Sequence, residues 1–160
     1  MSSYFRFPNP VNEKTARLVA GGVVLISLLG LITGWNWLIP VLAVGFLLRV
    51  AGGPRYSPMA VFANKVLSPR LGEPTMVAGP PKRFAQTVGA LVTTIGTLLV
   101  FGFGLEGAAP FVFGIMAAFA TLESVFAICV GCKMFAGLMA IGVIPESVCE
   151  ECANISLRQA

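Results

Sequence analysis

Four cysteines and no histidine define the chemistry open to this chain. Cys129 and Cys132 lie in "AICVGCKMF" and Cys149 and Cys152 in "PESVCEECANI", so a C-x2-C pair, the stretch 133–148 and a second C-x2-C follow in order. That spacing falls in the window of zinc sites, where four thiolates form a closed tetrahedral structural centre. An iron–sulfur centre would use the same ligands. The spacing suits thiol–disulfide exchange equally well, one thiolate attacking a disulfide sulfur while its neighbour waits to resolve the mixed disulfide. The bland alternative is apolar filling, since free cysteine packs as a small hydrophobe; two pairs of identical spacing and no further cysteine weigh against it.

Geometry separates the first two readings. A helical "KMFAGLMAIG" carries the chain about 13 Å from Cys132 at 1.5 Å per residue. Four sulfurs then meet on one ion only through a sharp fold-back or a second subunit. Exchange needs only the two sulfurs of one pair. Lys133 beside the first pair favours a thiolate there, whereas Glu150 and Glu151 oppose one at the second. Cys129 and Cys132 are therefore the reactive candidates, with Cys149 and Cys152 as the pair that exchanges electrons with the surroundings. Glu123, six residues before Cys129 in an apolar segment, is expensive to ionise in hydrocarbon. Two roles suit it: an ion pair with Arg49, or a proton acceptor for thiol chemistry at Cys129.

The elements that must position these groups are apolar helices. Of the 160 residues, 56% are apolar and 11% charged, and mean hydropathy is +0.85, against about 25% charged residues in soluble domains. Four segments are long enough to cross the roughly 30 Å hydrocarbon core, at about 18–34, 36–51, 85–104 and 109–128. The chain reads as one membrane domain over 1–160: an all-α integral membrane protein with four transmembrane helices, interfacial helices in the 52–84 connection and after span four, and a thiol-bearing tail at 129–160. The charged start runs into the first span with no small-residue cleavage site behind it, so that span is expected to be retained.

The basic residues sort to one side. Arg6, Lys14 and Arg17 precede span one; Arg49, Arg55, Lys65, Arg70, Lys82 and Arg83 occupy the end of span two and the connection after it; Lys133 and Arg158 follow span four. The connections "GWNW" and "LEGA" carry none. The positive-inside rule then places both termini and the 52–84 connection in the cytoplasm, with Trp35 and Trp37 at the opposite interface. A reducing cytoplasm disfavours a permanent disulfide. Arg49 is expected to snorkel to the headgroups. "SPMAVFANKVLSP" places Met59, Phe62, Ala63 and Val66 on one face of a short interfacial helix, and the proline-rich stretch after it should be extended. Thr87, Thr93, Thr94 and Thr97 with Gln86 are expected to hydrogen-bond between helices. The net charge of +4 belongs to membrane topology; no basic patch interleaved with aromatics suggests nucleic acid.

The blocks "FPNPVNEKTARLVAG", "GFLLRVAGGPRYSP", "SPRLGEP", "GPPKRFAQTVG", "CVGCKMF" and "IPESVCEECANI" resemble the bacterial membrane proteins grouped as domain-of-unknown-function family 4395. The resemblance implies a small multi-span protein of the bacterial inner membrane and includes both C-x2-C pairs. It supplies no reaction. In its cysteines the family is similar to membrane proteins that work with thioredoxin-like or sulfur-transfer partners. The expectation is thus a thiol–disulfide or sulfur-relay protein at the cytoplasmic membrane face, in contact with the bilayer, with such a partner, a homo-oligomer or a larger membrane complex. The alternative is an accessory subunit whose four cysteines bind zinc or an iron–sulfur centre, or brace the tail. No cofactor is otherwise implied.

Overall fold

A computed structural model describes residues 10–145 and 147. Its first long helix, α1 (Glu13–Thr33), begins where the Asn12 side chain accepts the Lys14 N–H, and it ends at Gly34 in the left-handed conformation, which only glycine adopts without strain. Trp35 and Trp37 stack beside the following turn, their centroids 6.0 Å apart. Helix α2 (Leu38–Gly52) returns, with Pro40 in its first turn, where the missing N–H has no helical partner to lose.

After a short turn at Gly53–Arg55, α3 (Pro58–Phe62) continues as wider and tighter helical turns to Leu71. The chain then extends, and β2 (Met76–Val77) pairs antiparallel with β1 (Val11–Asn12), Val11 opposite Val77. Of the stretch expected to be extended, "RLGEPTMVAGPPKR", only 72–78 lies outside helix, and it is anchored to the start of α1, while "GPPKR" opens the next helix. Helix α4 (Gly79–Thr97) starts with two prolines in its first turn and runs on to Gly102 in a wide final turn. Helix α5 (Ala109–Phe126) leads into α6 (Val130–Ala140).

About 80% of the described residues are helical, and among them four helices are long and apolar enough to cross a membrane. Helix α1 lies along α5, and α2 along α4. Between the pairs sits a core containing Val23, Ile39, Leu42, Phe113 and Met116. Large apolar residues also cover the outside: Leu25, Ile32, Phe103 and Phe111 are 70–83% exposed. Burying one such side chain is worth roughly 1.5–3 kcal/mol, so this outer surface is suited to lipid rather than water. At 11 residues, α6 is too short to cross, as expected.

The basic end of the bundle is tied together by polar contacts. The Arg17 guanidinium donates to Ser124 O from Nε at 3.2 Å and Nη2 at 3.1 Å, capping the last carbonyls of α5. Asn12 Nδ2 donates to Ser68 Oγ at 2.9 Å, and Thr15 Oγ1 bonds Asn64 at 3.1 Å. The apolar face predicted for α3 divides, with Met59 packed against the core. Ala60 and Ala63 bury against Val19, while Phe62 and Val66 face outward. At the contact with α1 the side chains are small apart from Met59, whose sulfur lies against Gly22, and Phe62 is turned away.

Candidate functional site

The site is built where α5 hands over to α6. Helix α5 stops at Ala127, which takes the left-handed conformation, φ 56°, an unusual one for a residue with a Cβ. The reversal lets α6 start at once, with Cys129 as its N-cap. In that position the Cys129 sulfur accepts the Cys132 backbone N–H at 3.4 Å, taking the place an Asp or Ser oxygen fills in an ordinary cap. The two cysteines come within 2.7 Å of each other, both as free thiols. Gly131 between them lies against the backbone of Ala85 in α4, where a Cβ would collide. Phe135, one turn further on, packs on Phe84 with centroids 5.8 Å apart. These two contacts seat α6 on α4.

The electrostatics make the two thiols unequal. The hydrogen bond from the Cys132 side chain lowers the Cys129 pKa below the ordinary thiol value, with help from Lys82 and the backbone N–H, and against burial and Glu123. The same hydrogen bond raises the Cys132 pKa, as do burial and the charge of Cys129. One sulfur is thus prepared to be a thiolate and the other to hold the proton, as a helix N-terminus and a neighbouring donor dictate. The cation that acts on Cys129 is Lys82. Lys133, which sequence proximity suggested, is exposed and is absent from the groups that set either thiol.

Glu123 also has a different partner from the one expected. Its Oε1 meets Lys82 Nζ at 2.6 Å, with both side chains largely buried. Arg49 does not snorkel outward. It is 4% exposed, lies over the Phe46 ring at 4.4 Å, and donates from Nε to Gln86 Oε1 at 2.8 Å and from Nη1 to Ser57 Oγ at 3.4 Å. The reason is register. Lys82, Gln86, Gly89 and Thr93 repeat at helical spacing along α4, and this face turns inward, so α4 supplies a cation to Glu123 and an amide to Arg49. Of Gln86 and the four threonines of α4, Gln86 alone bonds between helices among the described residues, as predicted. Thr87, Thr93 and Thr97 donate to carbonyls of their own helix at 2.7–2.9 Å, and Thr94 Oγ1 is buried without a partner.

Arg49, Gln86, Glu123, Cys129 and Gly131 line a cavity of about 70 Å³ whose other walls are apolar, room enough for a few waters. Glu123, the candidate proton acceptor, therefore shares this space with Cys129. Cys149 and Cys152 lie outside the described residues, and with them the four-thiolate metal reading. Among the described residues no three of His, Cys, Asp and Glu gather as metal ligands.

Fold and site together define a predominantly helical protein, compatible with a multi-pass membrane protein, that holds an asymmetric C-x2-C pair at the start of a short helix. The chain belongs to the family described as a domain of unknown function (DUF4395), which matches residues 11–140. The matched stretch takes in Cys129 and Cys132 and stops before Cys149 and Cys152. No curated protein and no solved structure matches the chain.

Proposed function

We propose that this is a membrane thiol–disulfide exchange or sulfur-relay protein with Cys129 as the attacking group and Cys132 as the resolving one. The observation that carries the reading is the capping geometry: the Cys129 sulfur receives a helix N-terminal N–H while the Cys132 thiol stands beside it. In exchange, the Cys129 thiolate attacks a disulfide R–S–S–R′, forming Cys129–S–S–R and releasing R′S⁻. The Cys132 thiol then loses its proton and attacks the Cys129 sulfur. RS⁻ leaves, the Cys129–Cys132 disulfide forms, and two electrons have passed to the substrate. Glu123, which shares a cavity with Cys129, is the candidate proton acceptor for the thiol chemistry there. A dithiol, that of Cys149 and Cys152 or of a thioredoxin-like partner, restores the reduced pair and becomes a disulfide in doing so.

The location follows from charge. With the basic end facing the cytoplasm of a bacterial inner membrane and both termini on that side, the thiol pair sits at the reducing face, where the α3–β2 connection and α6 lie along the interface. Trapping tests the reading. Cys132→Ala protein treated with a small disulfide should accumulate a mixed disulfide on Cys129, seen as a mass adduct on the 127–133 segment, while the unaltered protein should pass on to the internal disulfide. Absence of both products sinks the proposal.

A further inference from the structure

A second, larger cavity adjoins the thiol cavity. It measures about 380 Å³ and lies between the start of α1, the end of α2 and the start of α4. Arg49, Arg55 and Lys82 line it together with Asn12, Asn64 and Gln86, and among the described residues no acidic side chain does. Arg49 and Gln86 line both cavities and stand between them. One side of this partition is cationic and amide-lined; the other holds the Cys129 sulfur.

The charge balance points to an occupant. Lys82 is already neutralised by Glu123. Arg49 is buried with neutral hydrogen-bond partners, Gln86 and Ser57, and among the described residues no carboxylate lies within ion-pair distance of it. The Phe46 ring and the charge of Glu123, beyond ion-pair distance and already shared with Lys82, compensate the desolvated cation only in part. Arg55 adds a second, exposed guanidinium at the mouth. An anion here would complete the coordination that Arg49 lacks, and guanidinium geometry favours a planar oxyanion held in two places.

We propose that this basic cavity recognises the carboxylate of a small anionic disulfide whose sulfur reaches Cys129 past the Arg49–Gln86 partition. The inference rests on the thiol-exchange reading above and names its substrate class. Attack by Cys129 on such a disulfide releases one carboxylate-bearing thiolate, and attack by Cys132 on the Cys129 sulfur releases the other. The small disulfide is reduced by two electrons as the pair is oxidised.

The probes are dithiodiacetate and the neutral bis(2-hydroxyethyl) disulfide, with the rate at Cys129 for each divided by its rate with a free cysteine peptide. The normalised preference for the anion should be roughly tenfold at low salt and fall in 1 M salt. Arg55→Gln should cut the preference at least threefold. Arg70→Gln, equal in charge change but outside the cavity, should leave it intact. Reaction with both probes at equal normalised rates, or no response to Arg55→Gln, overturns the substrate class and leaves thiol exchange standing. Failure of Cys129 to react with either probe overturns thiol exchange itself and the substrate class with it. A non-reactive measurement closes the test: thiodiacetate should raise the unfolding temperature of Cys129→Ser protein, and Arg55→Gln should abolish the rise. No rise overturns anion recognition independently of thiol chemistry. The preference should persist in nanodiscs of anionic phospholipid; its loss there would make the cavity a headgroup site and overturn the proposal.

Discussion

Removing either partner of the Lys82–Glu123 pair should harm the protein far more than removing both. At the observed 2.6 Å, Coulomb attraction at an effective dielectric near 20 is about 6 kcal/mol. Desolvation costs several kcal/mol for each ion, so the pair as a whole contributes little net stability. A lone buried charge keeps its desolvation cost and loses its partner, which amounts to about 3–5 kcal/mol. Lys82→Met and Glu123→Gln should each lower unfolding free energy in micelles by about that amount. The double variant should lie within about 1–2 kcal/mol of the unaltered protein.

A second readout separates this pair from a merely structural one. Lys82 lowers and Glu123 raises the Cys129 pKa, so the pH midpoint of Cys129 alkylation should move up in Lys82→Met and down in Glu123→Gln. The sign follows because alkylation tracks the thiolate, and removing a cation makes the thiolate form only at higher pH. Additive losses in the double variant, or midpoints that move the same way in both single variants, would refute the reasoning. Additivity would show that the two groups do not meet. A common direction of shift would show that neither charge is felt at the thiol.

Other changes probe the local geometry. Cys132→Ala removes the largest contribution that lowers the Cys129 pKa; losing about 1.5–3 kcal/mol of hydrogen bonding to a charged group should raise the alkylation midpoint by roughly one to two pH units, and an unchanged midpoint would contradict the assigned donor. Gly131→Ala drives a methyl into the Ala85 backbone and should cost about 1–3 kcal/mol, with α6 released first, as seen by faster proteolysis after Lys133. Ala127→Gly relieves the positive φ before α6 and should raise stability by about 1 kcal/mol with Cys129 reactivity preserved; a loss of stability would mean that the Ala127 methyl is needed for packing.

The site was legible in part. Cys129 and Cys132 are conspicuous because a C-x2-C separation fits one helical turn, and helix formation alone brings them together. In the sequence Lys82 reads as part of a linker, since a charge at the edge of an apolar run looks like its boundary. The overlooked signal is "GPPKR": two prolines mark a first turn, which starts the helix at Gly79 and places Lys82 and Gln86 four residues apart on the face that continues through Gly89 and Thr93. Glu123 stands on the equivalent face of α5, in register with Met116 and Ala120.

What the sequence determined alone were properties that add up residue by residue. Transfer of apolar side chains from water is local, so hydropathy located four long helices, and the scatter of Lys and Arg marked one end of the bundle. Partner choice is not local. Each residue turns a helix by about 100° and advances it 1.5 Å, so a small change in rotation or axial offset substitutes one partner for another. Tertiary packing therefore decided that Glu123 meets Lys82 and not Arg49, that α3 buries Ala60 and Ala63 and turns Phe62 out, and that the basic cavity shares Arg49 and Gln86 with the cavity that holds Cys129. Those outcomes depend on how the helices fit against one another, a property of the whole bundle that no single segment contains.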